Sequence, residues 1–267
     1  MKILFICREN VGRSQMAEAI FKQLNDKHEI LSAGTKVVSK DGESRHGQIL
    51  KDLPAAENVI LVLKEKGIQV AENTRTQLSP DLVAWADKII VMAVHETIPD
   101  YLLKSQKVIY WKIIDPKGTP LDAHRQIMVQ IEDLVRKFMK TILVDAVHCF
   151  VSKEGKLFKK MYDLLETYPN KKIIITGANE EEFKKFKLDK MPYEVFTLKH
   201  SPEKTNPRYY EILLSQFDLA KKEVVYFEHN PEAVKSSQSL GIETYFYDND
   251  KKDLEGLKKF LDKNLTD

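Results

Sequence analysis

Cysteine is scarce in this chain, long apolar runs are missing, and neither sign of charge prevails. Two cysteines in 267 residues, Cys7 and Cys149, cannot make a disulfide framework. They fit a reducing cytoplasm, in which a thiol stays available. No apolar stretch is long enough to span a bilayer, and the run ahead of Cys7 is too short for a secretory signal. Lys and Arg number 42 against 40 Asp and Glu, for a formal net charge of +2. No global field therefore draws the chain to nucleic acid or to a membrane, and any recognition of an anion has to be local. What is there is 43% hydrophobic residues in a chain long enough for two ordinary domains, each with its own core.

Apolar runs of strand length alternate with helix-period segments from end to end, which predicts an α/β fold of parallel sheets covered by helices. In the first half, strands are expected at residues 3–6, 30–32, 89–93 and 108–114. A helix over 14–24 carries Met16, Ile20, Phe21 and Leu24 on one face, and a second over 55–66 stops at Gly67. A long helix over 122–139 closes this half. A fresh apolar run at 142–144, ending on Asp145, restarts the alternation, with further strands expected at 172–176, 194–198, 224–227 and 243–247. The boundary is thus expected at residues 139–141, giving domains 1–140 and 141–267, each a three-layer parallel-sheet unit. No Pro/Gly/Ser-rich linker marks the join, and no internal repeat is found. Lysine-rich stretches at 183–190 and 251–263 read as solvated helix faces, and Tyr209, Tyr210, Tyr226 and Phe227 as core.

The segment Cys7-Arg8-Glu9-Asn10-Val11-Gly12-Arg13-Ser14 sits between a buried strand and an amphipathic helix. In that setting loop amides can curl into an anion-binding nest, with the helix N-terminus adding partial positive charge. A thiol at the start of the loop faces the anion, and the positive surroundings favour the thiolate that attacks phosphorus. Arg13 can reach back with a planar fork to two phosphoryl oxygens, and Ser14 can donate a hydrogen bond to the sulfur. Alone, a cysteine after an apolar strand is a small buried hydrophobe. The combination with Arg13 and Ser14 is what points to chemistry.

These residues, with Met16-Ala17-Glu18-Ala19 after them, resemble the low-molecular-weight protein tyrosine phosphatase and arsenate reductase-like family, whose signature is a cysteine, five residues, then arginine and serine. Ser32-Ala33-Gly34-Thr35, Ala86-Asp87 and Asp115-Pro116 follow in the family's order, so the resemblance covers about residues 1–140. It implies that Cys7, Arg13 and Asp115 are catalytic, with Asp115 protonating the leaving group and then serving as base on the water that hydrolyses phosphocysteine. It also implies that Arg8, Glu9, Asn10, Val11, Gly12 and Ser14 bind substrate, and that neither metal nor cofactor is needed. Two departures bear on the substrate. Glu9 would repel a dianion unless it points away, and Lys117-Gly118 stand where the tyrosine phosphatases commonly place aromatic rings. The segment 36–66 is expected to shape the entrance. Arsenate reduction on the same scaffold is the nearest alternative, but Cys149 lies in the other half, which disfavours an internal thiol relay.

In the second half, Asp145, Thr176, Lys204 and Glu228 follow the order of the haloacid-dehalogenase-like phosphatases, here without a large cap. That resemblance implies a nucleophilic aspartate, phosphate binding by the threonine and lysine, and acidic residues that hold magnesium. Val147 stands where the family has its acid/base aspartate, and Glu228-His229 replaces the acidic pair, which implies a degenerate site. His148 and His229 read as buried structural histidines rather than metal ligands. The expected function is a cysteine-dependent phosphatase acting on a phosphorylated small molecule or phosphoprotein. A phosphate-binding sensor without turnover is the rival from another class. The oligomeric state is not legible.

Overall fold

The computed structural model describes residues 1–25 and 27–266. By packing, the chain divides into two compact units, Met1–Val135 and Arg136–Asp267. The division falls inside one long helix, a few residues ahead of the join expected from the sequence.

The first unit runs β1 (Lys2–Cys7), α1 (Arg13–Leu24), β2 (Glu29–Gly34), α2 (Glu57–Glu65), α3 (Pro80–Trp85), β3 (Lys88–Val91), α4 (Asp100–Leu103), β4 (Val108–Tyr110) and α5 (Leu121–Met139), the helix that contains the division. Its four strands are parallel in the order β2-β1-β3-β4. Side chains alternate across β1 with the period of two that a strand imposes. Leu4 and Ile6 pack with Ile89, Val91 and Leu102 on one face, while the Phe5 ring meets Phe21 at 6.0 Å and Trp111 at 5.7 Å. The apolar stripe expected on α1 is buried at Met16, Ile20 and Phe21. Helix α2 is shorter than expected, because a 3-10 turn at Pro54–Ala56 precedes it, and Gly67, at a φ of 76°, ends it as a left-handed stop. Strand β4 is shorter too. Its sequence stays apolar to Ile114, but the chain leaves the sheet after Tyr110: Trp111 turns inward while Ile114 is 76% exposed.

The second unit continues with β5 (Thr141–Asp145), α6 (Lys159–Glu166), β6 (Lys172–Thr176), α7 (Glu180–Lys185), β7 (Glu194–Thr197), α8 (Pro207–Phe217), β8 (Val224–Glu228), α9 (Pro231–Ser239), β9 (Glu243–Phe246) and α10 (Leu254–Leu265). Five parallel strands stand in the order β7-β6-β5-β8-β9. Ile142 and Val144 face Met161, Leu257 and Leu261. Leu143 faces the opposite way, toward Tyr209, Tyr210 and Leu213, which makes three layers. Tyr209, Tyr210, Tyr226 and Phe227 are core, as expected. No helix among the described residues is long and apolar enough to cross a membrane.

In both sheets the chain reverses its direction of winding at the central strand. Next to β1, the neighbours β2 and β3 are reached by connections running opposite ways, and next to β5 the neighbours β6 and β8 are. Ligands of open parallel sheets bind at such switch points, outside the carboxyl ends of the strands. Cys7 ends β1 and Asp145 ends β5.

Candidate active site

After Cys7 the chain bends through residues 8–12 before α1 begins, and the fate of its carbonyls shows what the bend is for. Thr35 N donates to Cys7 O at 2.9 Å, Lys36 N to Arg8 O at 2.8 Å, and Met16 N to Gly12 O at 2.9 Å. Arg75 Nε donates to Glu9 O at 3.0 Å, and Gln15 Nε2 to Asn10 O at 3.4 Å. The amides of residues 8–12 have no protein partner among the described residues. Carbonyls tied outward and amides left free make a nest for a tetrahedral anion, at the start of a helix whose dipole adds to it. The nest also depends on a glycine. A Cβ on Gly34 would stand 2.8 Å from Arg8 O and 2.9 Å from Asn10 N, so the loop could not lie against β2.

Asn10 has a φ of 53°, a left-handed conformation that asparagine tolerates better than most residues. Its side chain lies behind the loop. Oδ1 accepts from Thr76 N at 2.7 Å, so Nδ2 must be the donor to Ser14 Oγ at 2.9 Å and to Ser32 Oγ at 2.8 Å. With that lone pair of Ser14 taken, the serine proton is free to point at Cys7 Sγ, 3.0 Å away. A hydroxyl donating to sulfur stabilises a thiolate.

The cavity in front of the nest has a volume of about 220 Å³. Cys7, Arg8, Glu9, Val11, Gly12 and Arg13 line it from the loop, and Asp115 and Lys117 from the segment after β4. The buried Arg13 donates through one terminal nitrogen to Ile113 O at 3.1 Å and through the other to Asp115 Oδ2 at 2.9 Å. Asp115 is half-exposed, and its other oxygen accepts from Lys117 N at 3.1 Å. The Glu9 carboxylate is paired at the cavity wall: it meets Lys117 Nζ at 2.9 Å and Arg75 at 3.9 Å. Pro54, Ala55, Glu57 and Asn58 form part of the wall, as the segment 36–66 was expected to do. Among the described residues no Phe, Tyr or Trp lines the cavity.

Residues 2–147 match the family described as "Low molecular weight phosphotyrosine protein phosphatase". The chain belongs to that family. Its members are cysteine-dependent phosphatases, and the resemblance seen in the sequence is borne out for this half of the chain. Among curated relatives, an arsenate reductase of Bacillus cereus is 28% identical over 145 residues, 52% of this chain and 94% of its own. A protein-arginine-phosphatase of Geobacillus stearothermophilus is 28% identical over 155 residues, 53% of this chain and 95% of its own. The solved YwlE arginine phosphatase from Geobacillus stearothermophilus is 27% identical, with 50% of this chain and 87% of that one covered at a TM-score of 0.40. Within this phosphatase-family unit, Cys7, Arg13 and Asp115 converge on one cavity. Asn10 and Ser14 stand behind the loop, so any contact of Asn10 with substrate would run through its amide. Arg75, which pins the loop from outside, was missed; one cation in the polar stretch 72–77 carries no periodicity signal.

The second unit gathers its residues differently. Lys204 Nζ donates to Asp145 Oδ1 and, at 2.5 Å, to Glu228 Oε2. His229 Nδ1 stands 2.6 Å from Asp145 Oδ2 and 3.0 Å from Glu228 Oε1. Tyr226 Oη donates to Glu228, as does Asn230 N at 2.8 Å. Burial works against the charge on His229, but its hydrogen bonds to Asp145 and Glu228 outweigh this and push the imidazole up to about 9. Burial likewise opposes the charge on Lys204, and the two carboxylates overcome it, raising the ammonium well above its ordinary value. Glu228 is held well below the ordinary carboxylate range, its burial outweighed by Lys204 and His229. Two cations thus meet two anions. Thr176 ends the neighbouring strand, but its hydroxyl accepts from Ala178 N at 3.2 Å, within its own turn. The expectation that His148 and His229 are buried needs correcting: His148 is exposed and His229 only partly covered, because both lie on loops beyond strand ends.

Proposed function

We propose that the first unit hydrolyses phosphate monoesters with Cys7 as nucleophile, Arg13 as phosphate clamp and Asp115 as acid and then base. The observation that carries this reading is the cavity floored by the Cys7 thiol and free amides, with Arg13 and Asp115 at its wall. An arriving phosphate dianion competes with Asp115 for the guanidinium, and Arg13 turns its fork to two phosphoryl oxygens while the loop amides take the rest. Asp115, released from the guanidinium, takes up the proton that the Cys7 thiol gives up. The thiolate attacks phosphorus as the ester P–O bond breaks, and Asp115 passes that proton to the departing oxygen. The Asp115 carboxylate then takes a proton from the water that attacks phosphocysteine, releasing inorganic phosphate and the thiolate. Hydrolysis of a generic aryl phosphate by the whole chain tests the assignment. Cys7→Ser abolishes it and Asp145→Ala leaves it unchanged; the reverse pattern would move catalysis to the second unit.

Phosphotyrosine and phosphoarginine proteins are the substrate classes suggested by the family and by the Geobacillus relative. A wall on which His124 carries the one aromatic ring among the described residues gives a phenyl group little to stack on, which favours the second. The Bacillus relative supports a second reading, arsenate reduction. Cys149 is the other cysteine, fully buried and in the second unit, so that chemistry would need an external thiol. Arsenate consumption that depends on an added thiol would establish it.

For the second unit, spanning residues 141–267 beside a first domain of 1–140, we propose a degenerate, capless haloacid-dehalogenase-like domain. The central strand ending in Asp145, with Thr176, Lys204 and Glu228 on the following elements, supports it. The magnesium that this family implies does not fit. The oxygens of Asp145 and Glu228 are already engaged by Lys204 and His229, and the donors beside them are the nitrogen of His229 and the sulfur of Cys149, whereas magnesium takes oxygen. Val147 cannot carry a proton. A reducing, cytoplasmic location fits two cysteines that are both free.

A further inference from the structure

We propose that the cluster beyond β5 is a binding site for one divalent ion of the zinc class, with Asp145, Cys149 and His229 as ligands. A carboxylate oxygen, the Cys149 sulfur and an imidazole nitrogen lie within 4.8 Å of one another. A tetrahedral zinc ion holds such atoms about 3.3–3.8 Å apart, so Asp145 Oδ2 and His229 Nδ1, now 2.6 Å apart, part by roughly 1 Å to admit it.

The backbone explains why the three meet. Phe150 N and Val151 N both donate to Ala146 O at 2.9 Å, and His148 N donates to Val151 O at 2.9 Å. This tight turn, with His148 at a left-handed φ of 76°, folds the chain back so that Cys149 is fully buried beside Asp145. Strand β8 delivers His229 from the neighbouring position, where the hydrogen bond between Nδ1 and Asp145 Oδ2 occupies the place of a bridging ion.

The donor set selects the ion. One oxygen, one nitrogen and one thiolate suit a borderline-soft cation and disfavour magnesium or calcium. Cys149 takes no part in the phosphatase mechanism and has no disulfide partner. It is fully buried beside Asp145, where a bound cation supplies the charge that a thiolate needs. Glu228 keeps its bonds to Lys204 and Tyr226, and gives up its 3.0 Å contact with His229 Nδ1 when that nitrogen turns to the ion. As the ion enters, the Nδ1 proton of His229 and the thiol proton of Cys149 leave to solvent, so the net charge of the cluster is the same before and after. The exposed His148, its ring 5.0 Å from that of His229, or a water completes the fourth position.

The test is a titration of the chelator-treated full chain with cobalt(II), followed by zinc as competitor. One equivalent of cobalt should bind and give the intense absorption of a thiolate–cobalt bond, which zinc then removes. Cys7→Ser keeps the band, Cys149→Ser loses it, and His229→Ala weakens cobalt binding about 10-fold or more. No band in the wild-type chain, a band that survives Cys149→Ser, or one that vanishes with Cys7→Ser overturns the site. Should Cys149→Ser fail to fold, the wild-type and Cys7→Ser spectra alone decide, because they assign the band to one of the two thiols.

Discussion

At the end of β1 a nest of amides is left without protein partners among the described residues, and in the proposed reaction its arginine exchanges Asp115 for phosphate. At the end of β5 every charge already has its counter-charge: Asp145 and Glu228 are taken by Lys204 and His229. The same strand-end position is built in one case to receive an anion and in the other to be complete without one. Topology sets where a site can form, and the balance of charge around the strand end sets whether phosphate can enter it.

Lys204→Met should sharpen this contrast most. Removing the cation leaves two buried carboxylates under-compensated, and the second unit should lose about 3–5 kcal/mol in chemical denaturation, while aryl phosphatase activity below the transition is unchanged. A loss of activity with stability intact would reverse the assignment of the two ends. Arg13→Lys should act the other way. An ammonium cannot present the planar fork, and kcat should fall on the order of 10²- to 10³-fold, about 2.7–4 kcal/mol of transition-state stabilisation, with a smaller change in stability. A mutant that keeps its kcat would show that the amides alone carry the phosphate.

A third expectation concerns pH, with chelator present. The folded value of about 9 for His229 lies above its ordinary 6.5, so its contribution is complete below pH 6.5 and lost as pH rises through about 9. Asp145, Glu228, Lys204, His148 and Cys149 face it; His148 and Cys149 have ordinary values near that window, and burial pushes the first below it and the second above it. Denaturation midpoints of the second unit should therefore fall over this range, and His229→Ala should flatten the slope. The smallest effect belongs to Lys117→Ala. Its ion pair with Glu9 is exposed, and double-mutant measurements against Glu9→Gln should give about 0.2–1 kcal/mol; a larger coupling would mean that the rim holds the Asp115 segment in place.

Much of the first site could be read from its residues, because a cysteine, an arginine and a serine at fixed spacing on a strand–loop–helix are local in sequence. What could not be read joins distant segments. Arg75 on Glu9, Asn10 on Thr76 and Lys117 on Glu9 have no sequence period to reveal them. The early end of β4 was hidden for another reason: residues 108–114 are apolar whether they pair in a sheet or, like Trp111, pack from a loop. In the second unit the order of Asp145, Thr176, Lys204 and Glu228 was legible, but not that one lysine would hold both carboxylates, nor that the turn at His148 would bring Cys149 beside them.

Gly34 stands well along the chain from the nucleophile, yet the absence of its methyl group sets the gauge of the cradle. Alanine there would drive the segment carrying Arg8 and Asn10 off β2 and tilt the amides that must converge on a tetrahedral ion a few ångströms across. The fit of the pocket to its guest is therefore fixed in part by a hydrogen atom that never touches it.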